Sequence, residues 1–431
     1  MSLSFDKAFA RLASLTNWER KKPDPAHRFD LEGMVGLLAR IGDPHDHVGQ
    51  VVQVAGSKGK GTVASFVAGL GRAAGLRTGL YTSPHVFHVL ERIQVSGRSI
   101  EPSVVAPHVQ RVADALVEGQ TWFEAFTAVA LAAFAAARTE LCVLETGLGG
   151  RLDSTTVVPK AAGCITGIEL EHTRVLGDTI AEVAGEKAGI LRPGVPCVSG
   201  ASGVALEVIR QRAAALGCPL TVVSDAFESC ERTQRGHRVR FDLDVTGPVE
   251  LELPLRARIQ VRSFVLALAT FALACPEHVP AVLEADLGWV RAALPPGRFD
   301  IVATDPPIIV DGAHTHESLL TLAAEVRAAF PGRRFRLVFS IAADKSWQSA
   351  LGPLAELADT ARVAPLSGKE SAPLAEMQRV LEQFGVAVQA SASVGDAVRA
   401  ALAERDDNGL LVTGSLYAAG DALRVLRSDG R

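Results

Sequence analysis

Gly56, Gly59, Lys60, Gly61 and Thr62 fall within one stretch, VVQVAGSKGKGTVASF at 51–66, and these residue types at this spacing suit a nucleotide's phosphates. Glycines leave backbone N–H groups free to converge on an anion, and a helix starting there adds the partial positive charge of its N-terminus. Lys60 reaches the outer phosphates of a nucleotide, and Thr62 offers a hydroxyl to Mg²⁺. The spacing is a variant of G-x-x-x-x-G-K-[ST], because Gly61 stands between Lys60 and Thr62. A second candidate is Glu145, which closes the apolar run LCVLE. An acidic residue ending a strand beside a phosphate loop helps hold Mg²⁺.

These residues need strands and helices to bring them together. The pattern predicts a buried strand at 51–54, a turn at 56–62 and a helix at 63–70. A strand at 77–81 ends in Thr82, Ser83, Pro84 and His85, and one at 164–168 ends in Glu169, Leu170, Glu171 and His172. Polar groups are thereby delivered to strand carboxyl ends, where open α/β sheets bind ligands. An edge strand is expected at 91–95, helices at 31–41, 102–118, 121–138 and 260–275, and antiparallel hairpins at one sheet edge over 231–255. The helix at 179–190 carries Glu186 and Lys187, which alone read as a solvent-facing charge pair. His45 and His47 read as solvated loop residues, with no third ligand nearby.

Pro295-Pro296-Gly297 marks a linker between an N-terminal domain, 1–294, and a smaller one, 298–431. In the second, strands at 308–310, 335–340, 362–364, 386–389 and 409–413 alternate with helices at 317–330, 347–357, 372–384 and 394–404. That alternation implies a second doubly wound α/β sheet.

Composition excludes other classes. With 48% hydrophobic and 21% charged residues, the chain of 431 residues is a folded protein long enough for two domains. A net charge of -4 argues against nucleic acid as partner. No secretion signal is visible in the charged N-terminus, and the apolar run 125–137 is too short to span a membrane. The six cysteines form no C-x-x-C pair, which favours reduced core thiols in a cytoplasmic protein.

Taken in order, several short motifs resemble those of the folylpolyglutamate synthase / dihydrofolate synthase family, a branch of the Mur ligases. They are VAGSKGKGT, YTSPH at 81–85, ERI at 91–93, TWFEAFT at 121–127, ETGLGGRLD at 145–153 and EHT at 171–173. LGDTIAEVAGEKAGI at 176–190, GRFD at 297–300, DGAH at 311–314, ADK at 343–345 and GSLY at 414–417 continue the series. The resemblance implies an N-terminal phosphate-loop ATPase domain of Mur ligase type and a smaller C-terminal Rossmann-like α/β domain. It implies an ATP-dependent ligase that joins L-glutamate to dihydropteroate or to folates through an acyl-phosphate, acting on small molecules as a monomer.

By that resemblance Gly59, Lys60, Gly61 and Thr62 bind ATP, Ser83 and Glu145 hold the first Mg²⁺, and His172 holds a second metal. Lys187 becomes a carbamylated lysine that helps position that metal. Arg298 and Asp311 contact ATP, His314 neighbours the acyl-phosphate or amino acid, and Phe123, Glu124, Leu152 and Asp153 face the pterin. The chain departs from the family pattern at Lys58, Glu171 and Ser263, where asparagine, aspartate and asparagine are usual. It departs again at Thr315-His316, in place of Asn-Pro, and at Gly33, in place of arginine. Two other readings stay open: a divergent ligase for another carboxylate, and a non-catalytic paralogue that binds nucleotide or pterin.

Overall fold

The computed structural model describes residues 3–18, 30–225, 227–404 and 407–428, and the chain divides into two compact units, Met1–Leu294 and Pro295–Arg431. The first is built on an eight-stranded sheet among the described residues, ordered β4-β3-β2-β5-β1-β6-β7-β8. Its strands are β1 (Gln50–Ala55), β2 (Thr78–Tyr81), β3 (Ile93–Val95), β4 (Arg98–Ser99), β5 (Leu141–Glu145), β6 (Ala162–Ile165), β7 (Cys197–Ser199) and β8 (Leu220–Val222). From β2 across to β8 the strands are parallel, and β3 and β4 extend the sheet antiparallel.

Side chains alternate across a strand, and both central strands divide their apolar residues accordingly. Val52, Val54, Leu141 and Val143 pack with Phe66, Val67, Phe264 and Leu268, from helices Lys60–Ala73 and Arg258–Ala274. Val51, Cys142 and Leu144 pack on the opposite face with Leu37, Leu38, Phe126 and Val129. Helices on both faces explain the continuous apolar runs. They also make Gln53, 1% exposed in the middle of β1, a conspicuous exception.

Three sequence expectations change. Residues 231–255 do not extend the main sheet. Together with the residues before them they form a separate antiparallel sheet of β9 (Phe227–Arg232), β10 (His237–Leu243) and β11 (Gly247–Leu253), which buries Val239, Phe241 and Leu253 against the Arg258–Ala274 side. Glu91 begins no strand: its carboxylate accepts backbone N–H bonds from Val86, Phe87 and His88, folding Val89–Arg92 into a 3₁₀ turn. The helix expected at 347–357 is a 3₁₀ turn, Gln348–Ala350, and a short helix, Gly352–Ala355. Pro353 lacks the N–H that would continue one helix into the next.

Among the described residues the second unit carries a six-stranded sheet ordered β12-β13-β17-β14-β15-β16. These strands are β12 (Asp300–Thr304), β13 (Pro307–Val310), β14 (Phe335–Phe339), β15 (Ala358–Val363), β16 (Ala387–Ala390) and β17 (Gly409–Thr413). All pairs are parallel except the β12–β13 hairpin. No single helix among the described residues is long and apolar enough to cross a membrane.

Candidate active site

The link between β1 and helix Lys60–Ala73 is fixed by close approach. Gly56 has φ 141, and a Cβ there would lie 1.8 Å from Thr166 Oγ1, so only glycine fits. Gly59, with φ 82, takes the left-handed conformation that starts the helix. The loop is stitched to the segment after β6. Ser57 N–H donates to Gly167 O at 2.8 Å, the Thr166 hydroxyl to Lys58 O at 2.6 Å, and the Ser57 hydroxyl to Glu169 O at 3.0 Å. Lys60 is half-buried, its Nζ 3.4 Å from Ser57 O.

Glu145 ends β5 at 4% exposure. Its Oε2 accepts the Ser83 N–H at 2.9 Å, and a Cβ at Gly61 would lie 3.2 Å from the same oxygen. The carboxylate therefore rests between the first helical turn, which carries buried Thr62, and the segment after β2. A carboxylate with the hydroxyls of Ser83 and Thr62 makes a hard oxygen set of the kind Mg²⁺ prefers.

Behind the loop lies a charge cluster. Thr179 caps helix Ile180–Ala188 by accepting the Glu182 N–H, while Glu182 returns to the Thr179 N–H. Neighbouring helical residues point in different directions, and the expected surface pair is split. Glu186 goes outward to Arg151 at 2.8 Å. Lys187 goes inward to 1% exposure, and its Nζ donates to Gly56 O at 2.8 Å and to Glu171 Oε1 at 3.1 Å. Lys58 Nζ stands 3.7 Å from Glu171 Oε2. Burial pushes Lys187 down, with Lys60 adding to it, to a pKa of about 8 despite Glu171. Burial pushes Glu171 up, but Lys60, Lys187 and Lys58 outweigh it and hold the carboxyl at about 2. His172 is exposed, with φ 50, at the head of the short helix Thr173–Leu176.

The remaining candidates in this unit line the loops after β5 and before helix Trp122–Ala136. The Phe123 ring lies 5.8 Å from that of Tyr81, and a Cβ at Gly147 would come within 2.5 Å of it. Glu124 caps its own helix, accepting the N–H and hydroxyl of Thr121 at 2.8 and 2.7 Å. Asp153 is buried and accepts from Gly147 N, Leu148 N, Thr155 N and the Thr155 hydroxyl. Leu152 is half-buried beside it.

In the second unit, Asp311 accepts the Phe299 and Ala313 N–H groups, each at 2.7 Å. It thereby fixes the turn bearing half-buried Arg298. His314 Nδ1 lies 2.8 Å from Gly312 O. The structure also shows residues that sequence reasoning missed. Arg92, 2% exposed, donates from Nε to His85 Nδ1 at 3.0 Å and lies 4.7 Å over the Trp122 ring. Its mixed apolar surroundings in sequence gave no signal of burial. Among the described residues, no group of three or more His, Cys, Asp or Glu side chains is placed to hold a metal.

Residues 297–416 match the family model for the Mur ligase glutamate ligase domain. A dihydrofolate synthase/folylpolyglutamate synthase of Bacillus subtilis is 31% identical over 408 residues, covering 91% of this chain and 94% of that protein. The chain belongs to the folylpolyglutamate synthase / dihydrofolate synthase family. A probable bifunctional folylpolyglutamate synthase/dihydropteroate synthase of Haloferax volcanii is 37% identical over 91% of this chain. The chain spans about half the length of that relative and of its Halobacterium salinarum counterpart. A solved structure of the bifunctional folylpolyglutamate synthase/dihydrofolate synthase from Yersinia pestis, complexed with AMPPNP and a Mn ion, superposes with TM-score 0.81 at 28% identity. That match covers 99% of this chain and 98% of the other.

Against the folylpolyglutamate synthase pattern, the departures have visible local causes. A Cβ at Gly33 would lie 2.6 Å from Glu124 Oε1, so no side chain fits there without moving Glu124. Ser263 donates back to Ile259 O at 2.9 Å within its helix. Thr315 caps helix His316–Ala329 through the Ser318 N–H, and His316 Nδ1 lies 3.0 Å from the Ser349 hydroxyl. Lys58 and Glu171 face each other. The charge cluster predicts an acid limb. The folded Glu171 carboxyl has a lower pKa, about 2 against 4.5, so its stabilisation is full above 4.5 and fades as pH falls toward 2. Urea unfolding of Glu171→Gln is expected to be less pH-dependent than that of the parent across this window, and an equal slope would refute the assignment.

Proposed function

We propose that the chain is an ATP-dependent ligase that joins L-glutamate to dihydropteroate, to (poly)glutamyl folates, or to both, working on these small molecules as a monomer in the cytoplasm. Family membership supports this reading. The observation that carries it is the convergence of the phosphate-loop helix, Ser83 and Glu145, with a 2.9 Å bond from the Ser83 N–H.

A carboxylate is a poor acyl donor because oxide would have to leave. Transfer of the γ-phosphoryl of ATP to it gives an acyl-phosphate, whose leaving group is phosphate. Lys60 and the amides of Gly59, Gly61 and Thr62 neutralise charge on the transferring group. The α-amino group of glutamate then attacks the acyl carbon, loses its proton, and an amide forms as phosphate departs. Glu145, Ser83 and Thr62 would hold Mg²⁺, with His172 and Lys187 serving a second ion. Bound there, such ions offset the negative charge of the triphosphate.

Lys187 is proposed to be carbamylated. Its neutral amine attacks CO₂, forms the N–C bond and releases one proton, leaving a carboxylate on the lysine. A pKa lowered to about 8 increases the neutral fraction that can react. Phe123, Glu124, Leu152 and Asp153 are assigned to the pterin side, Asp153 by ordering its loop. Arg298 and Asp311 of the second unit are assigned to ATP, and His314 to the acyl-phosphate or the incoming amino acid.

The deciding experiment measures phosphate release with ATP, Mg²⁺ and L-glutamate, offering dihydropteroate or a reduced folate and omitting each component in turn. Release coupled to a product one glutamyl unit heavier is expected. ATP binding without release on either pterin would discard this acceptor class and favour another carboxylate or a binding role.

A further inference from the structure

Gln53 breaks the apolar run of β1, and the bonds around it run in one direction. Lys160 Nζ donates to Gln53 Oε1. Gln53 Nε2 donates to the hydroxyls of Thr155 and Thr156 at 2.8 and 2.7 Å. The Thr155 hydroxyl donates to Asp153 Oδ1 at 2.6 Å, and the Thr156 hydroxyl to Gly150 O at 2.7 Å. Asp153 Oδ2 accepts the N–H groups of Gly147 and Leu148 at 2.8 and 3.0 Å.

The order follows from donor chemistry. An ammonium has N–H groups and no acceptor, so it turns the amide oxygen of Gln53 toward itself and the amide NH₂ toward the threonines. Each threonine hydroxyl, having accepted from Gln53, has its own hydrogen to give onward. Burial, with Arg192 adding to it, pushes Lys160 down to about 7; a neutral amine still offers N–H, and the order is held from the other end by the Gly150 carbonyl, which can only accept the Thr156 hydrogen.

We infer that Lys160 and Gln53 are positioning residues: their one-way relay sets the conformation of the glycine loop 147–153 and through it the site of the carboxylic acid acceptor. The loop connects Glu145 at one end to the surface under Phe123, against which Gly147 packs. A buried network with every member satisfied is rigid. The inference rests on the ligase reading only for the identity of the acceptor.

The test uses the full chain and three variants. Gln53→Glu keeps, and by charge strengthens, a partner for Lys160 but cannot donate to Thr155 or Thr156. Lys160→Met removes the first donor from a half-buried position and guards against a folding failure of the strand variant, while Lys160→Arg retains a donor. Expected in both Gln53→Glu and Lys160→Met are faster hydrogen exchange at the Gly147 and Leu148 amides and a KM for the acceptor raised about tenfold. KM for ATP stays within about twofold, because the phosphate loop is held by other bonds, and Lys160→Arg restores the acceptor KM. Unchanged exchange in Gln53→Glu, or equal rises in both KM values, would overturn the relay. Faster exchange in a chain that no pterin acceptor stimulates would uphold the relay and remove the ligase reading instead.

Discussion

Lys60→Ala is expected to lower acceptor-dependent phosphate release by about 100- to 1,000-fold, the usual consequence of deleting one preorganised charge at a transferring group. Folding should survive. The Lys60 side chain is half-buried, and its hydrogen bond to Ser57 O is a long one, 3.4 Å. An exposed or half-exposed bond of that kind contributes roughly 1 kcal/mol or less. The loop itself stays anchored through Ser57, Thr166 and Glu169. A secondary effect falls on Glu171, since Lys60 contributes to its low pKa. Thermal unfolding, nucleotide affinity and phosphate release measured on one preparation separate the two effects. Full turnover in a folded Lys60→Ala chain would remove the phosphate-loop mechanism.

Residue types at strand ends made the placement of the glycine loop and of Glu145 legible in sequence. Glycine spacing announces a tight backbone approach, and Gly56 against Thr166 Oγ1 shows how tight. A carboxylate closing an apolar strand predicts its own position, and Glu145 lies where β5 delivers it, against the first turn of the neighbouring helix. Direction around a helix was harder. Glu186 and Lys187 are adjacent in sequence, and only the packing of helix Ile180–Ala188 decides which of them faces the phosphate loop. The hairpin segment 231–255 carried the right alternation but no information about which sheet it would join, since pairing partners are set by tertiary packing. Gln53 gave a signal, a polar residue inside VVQVA. Its partners Thr155, Thr156 and Lys160 lie more than a hundred residues onward, beyond the reach of local pattern.

Lys187→Arg separates a cationic role from the proposed carbamate. Arginine keeps the positive charge toward Glu171 but cannot form the carbamate, because its guanidinium stays protonated. Ligase turnover is therefore expected to fall by about 100-fold or more, on the scale of losing one charge-positioning group at the centre. Lys187→Ala should do the same and also weaken the fold, by about 1–3 kcal/mol. It leaves the buried Gly56 carbonyl without the Lys187 ammonium and removes one of the three lysines that face the part-buried Glu171 carboxylate, Lys58 and Lys60 remaining. Adding Glu171→Gln removes the under-compensated charge, so the double variant should recover part of the stability and none of the turnover. A small carboxylate such as formate, supplied to the alanine variant, should restore part of the activity by standing in for the carbamate oxygens. Carbon-13 bicarbonate gives a readout that does not depend on turnover: the parent chain should show a carbamate resonance that Lys187→Arg lacks. Wild-type turnover in Lys187→Arg, or the absence of that resonance at saturating bicarbonate, would leave Lys187 as the buried cation seen in the structure, pinning Glu171 to the phosphate loop.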